Sequence, residues 1–281
     1  MSAVVGLLSQ PFMSRAVEAG TVIAVACGLI GYFLVLRAQV FAADALSHVA
    51  FTGALAALAA GIDLRLGLFA VCVVFGAMIA MLGAKRGADD VVIGNAFAWV
   101  LGLGALFLTL YASRSGNGVT GVSVLFGSIF GLTSSQTVVA VAIGLGLVAA
   151  ILVIARPLLF ASVDEAVAAA AGLPVRLLGV IFLALVGIAA GEATQAVGSL
   201  LLLGLLAAPP ATAVRLTHQP WVGLVLSAGI SAFSMLGGLL VSYYWTSLPP
   251  SFSILAVGTG SYVVSLIGSR HRVHDGAHLR F

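Results

Sequence analysis

The chain has 281 residues, of which 62% are hydrophobic and only 7% charged, and its mean hydropathy is +1.22. A water-soluble domain carries about 25% charged residues, so this composition excludes a soluble globular protein and indicates an integral membrane protein. The net charge of +3 comes from basic residues that stand mostly at the edges of apolar runs, which argues against a nucleic-acid-binding surface.

The N-terminal stretch MSAVVGLLSQPFMSR is too weakly apolar for a signal peptide, and Arg15 follows its apolar part instead of preceding it. We expect a short interfacial helix there, which Pro11 ends before the first span.

Nine stretches of the chain have the length and apolarity of a spanning helix, which needs about 20 mostly apolar residues. They are 17–36, 40–60, 65–84, 91–112, 136–155, 175–192, 196–214, 221–245 and 252–268. The segment 113–134, between the fourth and fifth stretches, has an apolar centre too short to span, so we expect it to be re-entrant or interfacial. The sequence thus predicts an all-α polytopic bundle of about eight or nine spans, forming a single membrane domain over 1–281.

Basic residues orient the bundle, because the cytoplasmic loops of membrane proteins carry more Lys and Arg than the outer ones. If the loop 156–175 is cytoplasmic, nine basic residues fall inside and three fall outside. The inner set is Arg37, Lys85, Arg86, Arg156, Arg176, Arg215, Arg270, Arg272 and Arg280, and the outer set is Arg15, Arg65 and Arg114. The C-terminus is therefore predicted inside the cell and, with nine spans, the N-terminus outside.

Ionisable residues within spans are costly and point to function. Asp44 and His48 lie four residues apart near the start of the second span, which places them on one helix face. A carboxylate with an imidazole suits zinc, manganese or iron. The spacing fits a metal site, a proton relay or a structural pair equally well.

Two further features lie near the sixth and seventh spans. Glu192 ends the sixth span in GEATQAVG, with Gln195 beside it, and could line the outer mouth. We favour a solvated loop carboxylate for Glu192. Pro209-Pro210 is expected to break or kink the seventh helix.

The cytoplasmic segment 162–174 predicts a helix of about ten residues between two spans. Ser162 or Asp164 can cap its start, Glu165 favours its first turn, and Gly172-Leu173-Pro174 stops it. It is either a linker on the membrane surface or a docking element. The cytoplasmic tail, 270–281, is expected to be disordered and solvated, although His271, His274 and His278 could bind metal.

No nucleotide-binding P-loop is present, because the one lysine, Lys85, is followed by Arg86 where the motif requires Ser or Thr. ATP-driven transport would therefore need a separate ATPase subunit, and we expect this chain not to be an enzyme.

Several stretches resemble the permease subunits of ABC importers for zinc, manganese and iron. The resemblance runs from about Pro11 to Ile267. It is carried by PFMSRA, GYFLVLRAQVFAADALSHVAFTG, LFGSIFGLTSSQ, SVDEAVAAAAGLPV and VGSLLLLGLLAAPPATAVRL. Two places depart from the family pattern. SLPPSF has Ser247 and Ser251 where the family often has Asp and Gly, and GNAFAWV lacks a histidine found in some zinc-type members.

The resemblance implies a homodimer of permeases in the bacterial cytoplasmic membrane, with the ion path between the two copies. It also implies two cytoplasmic ABC ATPases and an extracytoplasmic solute-binding protein. Asp44 and His48 match the family's ion-interacting pair, and Asp164, Glu165, Ala166 and Gly172 match its coupling helix, the element on which the ATPases dock. The transported ion would be zinc, manganese or iron, with no permanently bound cofactor. The rival hypotheses are a proton-coupled transporter that uses Asp44, His48 and Glu192 as a relay, and a non-transporting scaffold.

Overall fold

Ten α-helices and one short 3-10 helix make up the described part of the chain, which contains no strand. The computed structural model describes residues 10–83, 90–115, 126–199 and 202–277. The helices are α1 (Pro11–Leu36), α2 (Val40–Ala60), α3 (Leu64–Gly83), α4 (Asp90–Ser115), α5 (Ser134–Val163), α6 (Glu165–Ala170), α7 (Val175–Val197), α8 (Leu202–Leu216), α9 (Pro220–Tyr244) and α10 (Pro250–Ala277), with the 3-10 helix at Ile129–Gly131.

Seven of the described helices are long and apolar enough to cross a bilayer, namely α1, α2, α3, α5, α7, α9 and α10. The apolar part of α4, Phe97–Ser113, and the whole of α8 are shorter. All nine coincide with the predicted spans, because apolar runs of this length are a strong signal. The polytopic helical bundle predicted from the sequence is confirmed.

The central helices are α1 and α2, in which most residues are buried by protein. Helix α1 packs against α9, α5 and α8, while α2 packs against α3 and α4. Helix α7 packs against α3 and contacts α2 and α5, and α10 covers α8 and α9. Most residues of α3, α5 and α10 are not fully buried by protein, as expected of helices that face lipid on one side.

Glycines allow the closest helix crossings in the bundle. Helix α3 meets α7 at two of them: a Cβ on Gly76 would lie 2.6 Å from the carbonyl oxygen of Leu183, and one on Gly187 would lie 2.7 Å from that of Cys72. Helices α2 and α3 cross in the same way, since a Cβ on Gly53 would lie 2.6 Å from the oxygen of Gly67. These crossings join α2, α3 and α7 backbone to backbone.

Two predicted helix boundaries and one predicted helix break differ from the structure. Helix α1 begins at Pro11, six residues before the predicted start at 17, and the missing N–H of Pro11 costs nothing at this position. The interfacial helix expected before Pro11 lies outside the described residues. Helix α5 continues through Pro157 to Val163, beyond the predicted end at 155. Helix α8 runs unbroken through Pro209-Pro210, so the expected break is absent.

Other predictions concern residues at the edges of the described regions. Helix α10 continues to Ala277, so the predicted disordered tail is helical over 270–277. His278, the loop that holds Lys85 and Arg86, and positions 116–125 of the predicted re-entrant segment lie outside the described residues. The described part of that segment forms the 3-10 helix and does not span.

We predict opposite effects for two alanine substitutions in α7. In Gly187→Ala the added methyl meets a backbone carbonyl, and overpacking of this kind costs about 1–3 kcal/mol. Gly179→Ala has no atom within 4 Å of its new Cβ, so it should be neutral or raise stability by up to ~1 kcal/mol through helix propensity. Thermal unfolding of the purified proteins in detergent should give a lower Tm for Gly187→Ala alone. Equal Tm values would contradict the close crossing.

Candidate functional site

The Asp44–His48 pair lies in the second turn of α2 and in the turn that follows. Asp44 Oδ1 and His48 Nε2 are 3.9 Å apart, and the two side chains are 26% and 15% exposed. This distance is too long for a hydrogen bond, so the two groups do not satisfy each other. The predicted pair is therefore brought together on one helix face, and its two side chains do not hydrogen-bond each other.

The ring of His48 is held by an aromatic neighbour on another helix. Phe97 of α4 packs edge-on against it, with ring centroids 5.0 Å apart, and Phe41 in turn lies 6.3 Å from Phe97. Between Asp44 and His48, Ser47 donates its hydroxyl to the carbonyl oxygen of Asp44 at 2.7 Å, which keeps the hydroxyl away from the pair.

No group of three or more His, Cys, Asp or Glu side chains comes together among the described residues. A metal ion at Asp44 and His48 would therefore meet at most these two acidic or imidazole side chains in the described part of one chain. A fuller coordination shell would need water or groups from a second protein chain.

The segment between α5 and α7 forms a short capped helix at one end of the bundle. Asp164 Oδ1 accepts a hydrogen bond from the backbone N–H of Val167 at 2.9 Å, so Asp164 and not Ser162 is the N-cap. The helix has six residues instead of the predicted ten, because α5 extends to Val163 and the chain turns at Gly172, where φ is +85°. Asp164, Glu165, Ala166 and Gly172 are all exposed.

Arg37, which follows α1, lies near this helix. Burial lowers the pKa of its guanidinium, and the negative charge of Glu165 opposes that shift. Its Nε and Nη1 atoms are buried without hydrogen-bond partners, and the group lies 5.9 Å from the ring centroid of Phe182. The next residue, Ala38, has φ +53°, a conformation that non-glycine residues rarely adopt. This tight turn leads directly into α2.

A second polar cluster lies at the opposite end of the bundle and corrects the interpretation of Glu192. The expected solvated loop carboxylate is wrong: Glu192 lies inside α7 and is 2% exposed. The reason is that α7 continues to Val197 and that α3 packs over it, with Leu68 and Phe69 against the neighbouring Gly191.

Gln195 lies one turn beyond Glu192 on α7. Its Oε1 accepts a hydrogen bond from Arg65 Nε of α3 at 3.0 Å, and its backbone oxygen accepts one from the N–H of Ser128 at 3.1 Å. The segment 126–133 is therefore fixed over the end of α7. Ser251 adds to this by donating its hydroxyl to the carbonyl oxygen of Phe126 at 2.6 Å.

Arg65, Phe97 and Arg37 were not predicted as site residues. Arg65 is 130 positions from Gln195, and Phe97 is 49 positions from His48, so no local pattern connects them. Arg37 and Arg65 entered the sequence analysis only as charges that orient the chain. The only sequence feature that marked these two arginines was their position at the end of an apolar run.

Seven described helices of spanning length, with an Asp–His pair within one of them and polar groups at both ends of the bundle, define a multi-pass membrane protein. The chain belongs to the ABC 3 transport family, whose model matches residues 9–269.

Named relatives cover most of the chain. It is 29% identical over 254 residues to the manganese transport system membrane protein MntC of Halalkalibacterium halodurans, which covers 90% of this chain and 86% of the relative. It is 27% identical over 266 residues to the manganese import system permease protein ScaB of Streptococcus pneumoniae, which covers 93% of this chain and 90% of the relative. The fold is similar to that of PsaBC from Streptococcus pneumoniae, solved in complex with a Fab, with a TM-score of 0.82 at 24% identity over 94% of this chain and 95% of that one.

We predict that the cap of α6 depends on an acceptor at position 164 and not on its charge. Asp164→Ala should destabilise the helix by ~1 kcal/mol, whereas Asp164→Asn, an equally good cap, should preserve it. Hydrogen exchange at the amide of Val167 should be faster in the alanine variant by about fivefold. Equally fast exchange in both variants would mean that the charge stabilises the helix.

Proposed function

We propose that this chain is the permease subunit of an ABC importer that carries a divalent transition-metal ion, with Mn²⁺ as the first choice. The observation that carries the proposal is the Asp44–His48 pair, which is inside a membrane helix and not hydrogen-bonded to itself. Ionisable side chains inside a membrane span cost stability, so their presence there points to a function.

The chemistry of the pair fits the ion. Carboxylate and imidazole ligands suit manganese, zinc and iron, and the names of the relatives, which are manganese transport proteins, favour manganese. A homodimer would bring two such pairs to one path and give four protein ligands. The 3.9 Å separation and the partial exposure of both groups suit a site that binds weakly and releases its ion.

Energy would reach this site from the cytoplasmic side. The exposed helix α6 offers Asp164 and Glu165 to a separate ATPase subunit. The charge of Glu165 acts on Arg37, and Arg37 precedes the tight turn at Ala38 that starts α2. Movement of α6 would thus be transmitted to the helix that carries Asp44 and His48.

The remaining parts of the system follow from the same proposal. Two ATPases would dock on the cytoplasmic face of the dimer, a solute-binding protein would deliver the ion from outside, and the C-terminus would be cytoplasmic. Membership of an ABC family supports ATP as the energy source. The proton-coupled alternative has no corresponding support.

We predict that Asp44→Asn and His48→Ala each lower metal uptake by about tenfold or more, which corresponds to about 1.4 kcal/mol or more of lost stabilisation. Uptake of Mn²⁺, Zn²⁺ and Fe²⁺ should be measured in cells that lack the gene and carry each variant. Ser47→Ala is the matched control, because it lies between the two residues and bonds only backbone. Normal uptake by both variants, with the complex assembled, would eliminate this site.

We also predict that the double charge reversal Asp164→Lys with Glu165→Lys weakens co-purification of the ATPase, because it inverts the charge of the exposed helix. Asp164→Asn should affect docking less, since it retains the cap. Asp63→Lys, an exposed reversal in the loop between α2 and α3 at the opposite end of the bundle, is the control. Undiminished recovery of the ATPase with the double variant would show that docking lies elsewhere.

A further inference from the structure

The polar cluster at the outer end of the bundle is incompletely paired. Glu192 is 2% exposed, and its Oε2 atom has no hydrogen-bond partner. Arg65 donates through Nε to Gln195, but its Nη2 is buried and unpaired, and so is Nε2 of Gln195. Thus an acceptor and two donors lie buried and unused within one cluster.

Arg65 bonds the neutral amide of Gln195 and not the carboxylate of Glu192. A guanidinium bonds a carboxylate more strongly than an amide, yet Arg65 bonds Gln195 while Glu192 lies one turn away on the same face of α7. The positive charge of Arg65 nevertheless acts on Glu192. Leaving buried charged atoms unpaired costs stability, and a bond between Arg65 and Glu192 would pair two of the unpaired groups.

The cluster lies where the end of α7 could move. Gly198 ends the helix with φ +89° and ψ +154°, a backbone conformation that is essentially restricted to glycine. A Cβ on Gly127 would lie 2.6 Å from the backbone oxygen of Ala196, so the segment 126–133 packs directly on this corner. Ser199, just past the corner, is 1% exposed. The Arg65–Gln195 bond therefore joins α3 to α7 three residues before the turn at Gly198, which the segment 126–133 covers.

We propose that Arg65 is a two-position latch for the outer gate of the ion path. Arg65 bonds Gln195 in the structure, and we assign this arrangement to the closed gate. When the end of α7 moves to admit an ion, Arg65 exchanges this bond for one with Glu192, so that the buried guanidinium keeps a partner throughout. The inference rests on the proposed transport function and deepens it by assigning the residues that open the outer end.

The test follows the opening of the corner directly. Ser199→Cys is introduced, and its reaction with a membrane-impermeant maleimide is measured in the complete transporter, in vesicles whose outer face is exposed, with and without ATP. The parent without this cysteine gives the background, since Cys27 and Cys72 are both buried. Uptake of Mn²⁺ is measured in the same vesicles.

Two of the latch variants should slow the labelling of Ser199→Cys, and the third should speed it. Gln195→Glu gives Arg65 a charged partner in the closed arrangement and should slow labelling during ATP turnover by at least about fivefold. Glu192→Gln removes the charged partner of the open arrangement and should also slow it. Arg65→Ala removes the latch and should speed labelling without ATP. Asp63→Asn, which changes a carboxylate that bonds only the backbone N–H of Arg65 at 2.8 Å, should change nothing.

Labelling at the parent rate in all three latch variants would overturn the proposal. If Arg65→Ala does not assemble, labelling at the parent rate in both Gln195→Glu and Glu192→Gln would overturn it, because both substitutions are nearly isosteric and should leave the fold intact. The labelling experiment also distinguishes failure of the latch from failure of the proposed ion site. If Asp44→Asn retains uptake while the latch variants still alter labelling, the proposed ion site fails and the latch stands.

Discussion

Close contact between helix backbones through glycine is the constraint on which the rest of this structure depends. In lipid no hydrophobic force drives helices together, so packing and direct contact must hold them. Gly53 and Gly67 join α2 to α3, and Gly76 and Gly187 join α3 to α7. The helix that carries Asp44 and His48 is thus connected, through two crossings with little side chain between them, to the helix that carries Glu192 and Gln195.

The polar residues of the spans are few, and this rigid set of helices determines their positions. Glu192 is buried because α3 approaches α7 closely, and the same approach brings Arg65 within hydrogen-bonding distance of Gln195. At the other end, the tight turn at Ala38 sets the start of α2 beside Arg37. The two ends of the bundle are therefore linked to the Asp44–His48 pair through backbone contacts and not through a chain of polar groups.

The sequence predicts most of this fold because a run of about 20 apolar residues has few alternatives in a bilayer. It also predicts Asp164 as one of two caps, since capping depends on neighbouring residues. It fails at Glu192, where GEATQAVG reads as a loop and only the distant α3 makes it a buried helix turn. The Arg65–Gln195 bond and the Phe97–His48 contact depend on tertiary packing, so no local pattern predicts them.

The shortness of α8 has a consequence for the energy of a charge that lies beside it. Its 15 residues extend about 22 Å, against a hydrocarbon core of about 30 Å. At the same end of the bundle lie the corner at Gly198 and the segment 126–133, in which the N–H of Ser128 bonds the backbone oxygen of Gln195. Because the Born cost of a charge depends on how much low-dielectric material surrounds it, a charge beside α8 is separated from water by a thinner apolar layer than a charge beside the longer helices.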